Sequence, residues 1–153
     1  MDHLTAATHW RAIGETTAAL MREADRLKRD VNGTEERARK EKAQLLLDLL
    51  EVFDSFERVF ANIEPRLEGA EKQAKIWVGN FRAVRRLLDN ILKANGVAVI
   101  ESPGGMAVPG QHTVVETREQ AGMEDGTILE EMQRGYFWRG DVLRKALVVA
   151  VKN

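Results

Sequence analysis

The side chains that could do chemistry in this chain are few, and their spacing does not suit them to it. His3, His9 and His112 are its only histidines, and no two stand at a metal-ligand spacing. The absence of cysteine excludes thiol catalysis, disulfides and thiolate metal sites. Carboxylates are plentiful, but they lie in charged helical runs beside Lys and Arg, the pattern of a solvated face rather than of an acid–base pair in a cleft. Gly104-Gly105 lacks the Gly-Lys-Ser/Thr ending of a phosphate loop and reads, after Pro103, as a tight turn. No catalytic residue, cofactor or metal is expected, and what remains is binding. Asp54 and Arg58 stand one helical turn apart and read as an intrahelical ion pair, and Arg85-Arg86 as part of a solvated helix face. Phe137-Trp138, between Arg134 and Arg139, could stack on single-stranded nucleic acid, although a core or hairpin-end role suits a neutral chain better.

The totals support this. In 153 residues, 23 Lys and Arg oppose 24 Asp and Glu for a formal charge of −1, so no global field draws the chain to nucleic acid or to an anionic membrane. Charged residues make up 31% and aromatics 6%, which implies much solvated helix and little globular core. The N-terminus, Met1-Asp2-His3-Leu4-Thr5, does not read as a signal peptide, and no apolar run approaches the roughly 20 residues of a membrane span. A soluble, cytoplasmic protein is expected.

The elements that must position any binding residue follow from periodicity. Ile13, Thr17, Leu20, Ala24, Leu27 and Val31 alternate steps of four and three, a coiled-coil seam. The count continues through Thr34, Ala38 and Glu41 to Leu45, then to Leu49, Val52, Phe56, Val59 and Ile63. The steps between Ala38 and Leu49 form an eleven-residue repeat that relaxes the supercoil. Residues 22–42 hold fourteen charged side chains, too polar to bury in a monomer, so a partner helix is expected along the seam. Gly33 weakens this helix and marks a potential kink or break.

Pro65 ends the first helix. Ala74, Trp77, Phe81, Val84, Leu88 and Ile91 then stripe a second helix over about 70–94, which Asn95-Gly96 caps. Beyond Gly96 the period changes, and strands are expected over 97–101, 112–117, 127–138 and 142–151, separated by Gly- and Pro-containing turns. The fold class is α+β: a paired-helix stalk over 1–44, a bundle and dimerisation region over 45–95, and a small all-β module over 96–153. Two helices alone leave their apolar faces half exposed, so a homodimer with a four-helix bundle is expected. Its seam would be Leu49, Val52, Phe56, Val59, Trp77, Phe81, Val84, Leu88 and Ile91. The β module is expected to be removable from this helical dimer.

The order of elements and several motifs resemble the GrpE family over roughly residues 20–152. The motifs are Asp54-Ser55-Phe56-Glu57-Arg58, the second helix ending Asn-Gly-Val-Ala-Val-Ile, His112 opening a strand, Met132-Gln133-Arg134-Gly135-Tyr136, and Leu143-Arg144 followed by Ala146 and Val148. That family comprises nucleotide exchange factors of Hsp70 chaperones. The resemblance implies a homodimer whose bundle and β module touch the Hsp70 ATPase domain, the β module wedged against its nucleotide cleft. It assigns partner contact to Arg58, Ala107, Pro109, Gly110, Met132, Asp141 and Ala150. The chain departs from the family at Ala107-Val108, Val114, Asp141 and Ala150, and at Leu27-Lys28-Arg29 in the long helix. These departures keep alive a coiled-coil adaptor of the same fold without exchange activity.

Overall fold

A computed structural model describes residues 3–102 and 104–153, except for the side chains of residues 3–9 and 12. Pro103 and the side chains of His3 and His9 thus lie outside the described residues. The elements are α1 (His3–Ile63), a 3₁₀ turn (Glu64–Arg66), α2 (Lys72–Ala94), β1 (Val97–Val99), β2 (His112–Arg118), β3 (Ile128–Gln133), β4 (Tyr136–Trp138), β5 (Asp141–Arg144) and β6 (Ala146–Val151). They fall into two compact units, Met1–Lys42 and Ala43–Asn153.

The described residues of the first unit are all helix. It passes through Gly33 without a break; Thr34 Oγ1 donates to Asp30 O at 2.8 Å and Arg37 Nε to Gly33 O at 3.1 Å. None of its described side chains is buried. Its exposed apolar residues include Leu20, Leu27 and Val31 of the expected seam.

In the second unit, Pro65 sits inside the 3₁₀ turn, where its fixed φ is tolerated, and α1 has already stopped at Ile63. Helix α2 ends on Asn95, whose N–H donates to Ile91 O at 3.1 Å, and Gly96 takes the left-handed conformation at φ +83. Two three-stranded sheets follow. One has the order β1-β4-β5, all antiparallel; the other has the order β2-β6-β3, with β2 parallel and β3 antiparallel to the central β6.

Two expected strands each prove to be two. The segment 127–138 divides at Arg134-Gly135, and 142–151 divides at Lys145, because β4 and β5 leave the β6 sheet to pair with each other and with β1. Gly135 makes the crossing possible. A Cβ there would lie 2.5 Å from Ala146 N and 2.9 Å from Ile100 Cδ1, while its carbonyl accepts from Ile100 N at 2.9 Å. Between β4 and β5, Arg139 (φ +52) and Gly140 (φ +90) form the tight turn, a pair of positive φ values suited to a two-residue hairpin. The Arg139 guanidinium lies 5.4 Å from the centre of the Trp138 ring.

The core also differs from the expected stripe. Leu46, Leu50 and Phe53 of α1 pack with Leu92 of α2 and with Val97, Tyr136 and Trp138 of the first sheet. This second apolar stripe runs one residue out of phase with Leu45, Leu49, Val52 and Phe56. The heptad count followed only the outer stripe. Removing the β module would uncover Leu46, Leu50 and Phe53 on the side of Tyr136 and Trp138, each forfeiting up to roughly 1.5–3 kcal/mol. A smaller core of Ile128, Ala146 and Val148 lies around β6, with Ala107 against it.

Two measurements check these assignments. Gly135→Ala forces a methyl onto backbone and should cost about 1–3 kcal/mol, the usual price of overpacking, read as a lower denaturation midpoint at unchanged slope. On heating, far-ultraviolet helix signal should fall in two steps, Met1–Lys42 melting before the near-ultraviolet signal of buried Trp138 is lost. One coincident transition would show that the first unit draws stability from contacts this chain does not make with itself.

Candidate partner-binding surface

Asp54 accepts three side-chain hydrogen bonds from the two sheets. Its carboxylate does not pair with Arg58, as their spacing suggests, but accepts a two-pronged interaction from Arg144 on β5. Nη1 donates to Oδ2 at 2.8 Å and Nη2 to Oδ1 at 3.1 Å. Gln133 Nε2 on β3 adds a bond to Oδ2 at 2.9 Å. The two charged side chains are only 15% and 16% exposed. Arg144 also donates to Arg134 O through Nη2 at 2.9 Å and Nε at 3.2 Å, and its guanidinium lies 5.4 Å from the Tyr136 ring centre. Burial lifts the Tyr136 phenol above its ordinary range, against the opposing pull of Arg134 and Arg144.

Around this centre, Glu57 pairs with Arg85 of α2, whose guanidinium sits 5.1 Å from the Phe53 ring centre. Arg134 lies 3.9 Å from Glu57 and 3.8 Å from Glu131. The Arg85 half of the Arg85-Arg86 pair therefore braces α2 against α1 rather than merely facing solvent.

Arg58 stays exposed, and its Nη2 donates to Ser55 Oγ at 3.0 Å. It borders a recess of about 490 Å³ whose rim also holds Asp54, Glu57, Met132, Gln133 and Leu147. Two residues assigned to partner contact, Arg58 and Met132, are thus brought to one recess from positions 74 residues apart in sequence.

The loop before β2 carries Ala107, Pro109 and Gly110, and His112 organises it. Val108 N donates to His112 Nδ1 at 3.0 Å, and His112 N returns a bond to Val108 O at 2.8 Å. Because Nδ1 accepts, the neutral ring carries its proton on Nε2, which donates to buried Ser102 Oγ at 3.2 Å. The imidazole is 6% exposed and acts as a structural tie. Lys145 Nζ donates to Pro109 O at 3.1 Å. Pro109 and Gly110 are exposed, and Ala107 is half-buried against the β6 core.

Asp141 is exposed at the start of β5, beside the tight turn. Ala150 is 2% exposed on β6, between Thr117 and Ile128; its side chain offers no surface to a partner. Phe137-Trp138 does not form a stacking platform either. Trp138 is buried and its Nε1 donates to Asn95 O at 3.0 Å, while Phe137 is half-buried.

A second surface lies on the helices. Val52, Phe56, Val59, Ile63, Val78 and Phe81 border an apolar groove of about 370 Å³ between α1 and α2. Beside it Trp77 is 57% and Phe81 53% exposed, and Val84 and Ile91 are exposed as well. Leu49 and Leu88 are half-buried against the inner core. Among the described residues, no cluster of three or more His, Asp or Glu could hold a metal ion, and no helix is long and apolar enough to cross a membrane.

The GrpE family profile matches residues 6–152. The chain is 34% identical over 131 residues to Protein GrpE of Gloeobacter violaceus, covering 80% of this chain and 65% of that protein. It is 40% identical over 114 residues to Protein GrpE of Geobacillus kaustophilus, covering 74% and 51% respectively. Against Protein GrpE of Bacillus anthracis the identity is 31% over 133 residues, 86% of this chain and 68% of that protein. The chain spans about half to two thirds of the length of these relatives. Because the matched span takes in both helices, both sheets and the recess between Arg58 and Met132, the chain belongs to the GrpE family.

Proposed function

We propose that this chain is a GrpE-type adenine nucleotide exchange factor and co-chaperone, acting as a homodimer on the ATPase domain of a DnaK-type Hsp70. The observation that carries the reading is the family match across residues 6–152, which includes every element that forms the candidate surfaces. The protein performs no bond chemistry. It works by linkage: a factor that binds the open-cleft state of the ATPase better than the closed state shifts the population toward open, and bound ADP loses affinity by the same factor. ATP then replaces ADP and the chaperone releases its client.

Arg58 and Met132 meet the partner at the shared recess, the loop Ala107 to Gly110 meets it from the β2 side, and Asp141 from the β4–β5 turn. Ala150 takes part only by packing under this surface, since it is buried. Leu49, Val52, Phe56, Val59, Trp77, Phe81, Val84, Leu88 and Ile91 form the homodimer face. In support of this role, large apolar side chains cluster there uncovered within one chain, and pairing two such faces would give a bundle with a buried core.

Three experiments test the reading. Phe81→Asp should turn a dimer into a monomer in sedimentation at micromolar concentration, because it sets an unpaired charge in an apolar interface; a wild-type monomer would overturn the dimer. Arg58→Ala should weaken binding to a cognate ATPase domain by roughly 1.5–3 kcal/mol, the usual worth of a charge-assisted contact, with the fold unchanged. If no cognate Hsp70 loses ADP faster when the wild-type protein is added, exchange is disproved and an adaptor of the same fold remains.

A further inference from the structure

A buried polar constellation links α1 to a strand of each sheet, beside the more exposed pair of Glu57 with Arg134. Asp54 lies on α1, Gln133 on β3 and Arg144 on β5. No short stretch of chain links these elements; α2 and β1 intervene between α1 and either strand. The apolar contacts of Leu46, Leu50 and Phe53 with Tyr136 and Trp138 supply adhesion, but hydrophobic burial has no preferred direction. A bidentate arginine–carboxylate pair does, since both N–H···O bonds must stay aligned in one plane. Here the fork is itself fixed by two bonds to Arg134 O, so the angle of the β module on α1 is set from both sheets at once.

We propose that Asp54, Arg144 and Gln133 are positioning residues whose stiffness makes the β module selective for the open nucleotide cleft. The inference rests on the exchange-factor reading. A wedge opens its partner only by the difference between its affinities for the open and closed states. A rigid β module fits the open cleft and clashes with the closed one. A module free to tilt on α1 fits both, and equal affinity for two states shifts nothing, however tight the binding. Loosening the joint should therefore uncouple binding from opening rather than weaken binding itself.

The test compares wild type with Asp54→Asn, Arg144→Lys and Arg144→Gln. Asp54→Asn is nearly isosteric and keeps an oxygen for Gln133; Arg144→Lys keeps the charge and loses the fork. The rate of ADP release from a cognate DnaK-type ATPase domain is measured against concentration of the exchange factor. Loss of a charge-assisted bond should lower the maximal rate about tenfold in Asp54→Asn and Arg144→Gln, with Arg144→Lys between them and wild type. In the two Arg144 variants the half-saturating concentration should move by no more than about threefold, because Arg144 does not border the recess shared by Arg58 and Met132. A maximal rate that is unchanged while half-saturation rises, or no change in either, overturns the proposal.

A second readout does not depend on exchange. The chain has no cysteine, so Thr113→Cys, exposed on β2, takes a single fluorophore. Time-resolved anisotropy should gain a faster segmental component in each variant, with near-ultraviolet dichroism preserved. Unchanged segmental motion overturns the joint, whatever the rates do. If wild type does not accelerate ADP release at all, the exchange reading fails separately, and with it the selectivity assigned to the joint, while the anisotropy still reports whether these residues hold the module.

Discussion

One carboxylate ties the helices to the sheets. Asp54 receives Arg144 and Gln133 from strands that belong to different sheets, and the more exposed Glu57 meets Arg134 at the crossing between them. An ion pair this far removed from water gives little net stability compared with an apolar pair of the same shape, because desolvation offsets most of the attraction. Removing one partner is a different matter, since the other charge is then left buried and unpaired. The arrangement thus contributes orientation more than strength. The apolar cluster of Leu46, Leu50, Phe53, Tyr136 and Trp138 contributes the strength.

Local chemistry made some of this legible in the sequence. Pro65 stopped α1 and Asn95-Gly96 stopped α2 because each acts on its own backbone. Non-local features were hidden. Asp54 and Arg58 look like partners because they are four residues apart, whereas the real partner lies 90 residues on. Neither 127–138 nor 142–151 contains a Pro, Asn or Asp to signal a turn, so one strand is expected in each where the chain crosses between sheets. At the crossing, Gly135 lies so close to Ala146 and Ile100 that a side chain has no room there. Likewise the heptad count along Leu45, Leu49 and Val52 is regular enough to obscure the adjacent stripe that forms the core. Of the candidate surface, the motifs pointed to Arg58 and Met132, but their meeting at one recess is a property of the fold. His112 opened its strand as expected; its tie to Val108 could not be read from a sequence without knowing that the loop doubles back.

The two apolar stripes of α1 divide the labour between inside and outside. The inner stripe is satisfied within the chain, while the outer one, from Leu45 to Val59, stays largely exposed beside Phe81 and Trp77. Contiguous apolar surface of this kind on a chain so rich in charge indicates an interaction face. Glu57 continues the inner stripe one turn beyond Phe53 and pairs with Arg85 of α2, so that the inner face passes from an apolar core to a polar contact.

The parallel pairing of β2 with β6 has a consequence for how the protein is made. His112 pairs with Ala146 and Arg118 with Val151, and the same central strand holds β3 on its other side. As the ribosome extrudes the chain, β2 and β3 emerge before the strand that must lie between them. Until Val151 is released they remain two unpaired edges, and Val114, Val115 and Met132, exposed even in the finished protein, sit on those edges. Non-local closure of this kind is slow compared with helix formation, and open strand edges invite pairing with other chains. The segments of β2 and β3 are therefore most open to pairing with other chains until β6 joins them, so the closing of that sheet is where a competing aggregation step would act.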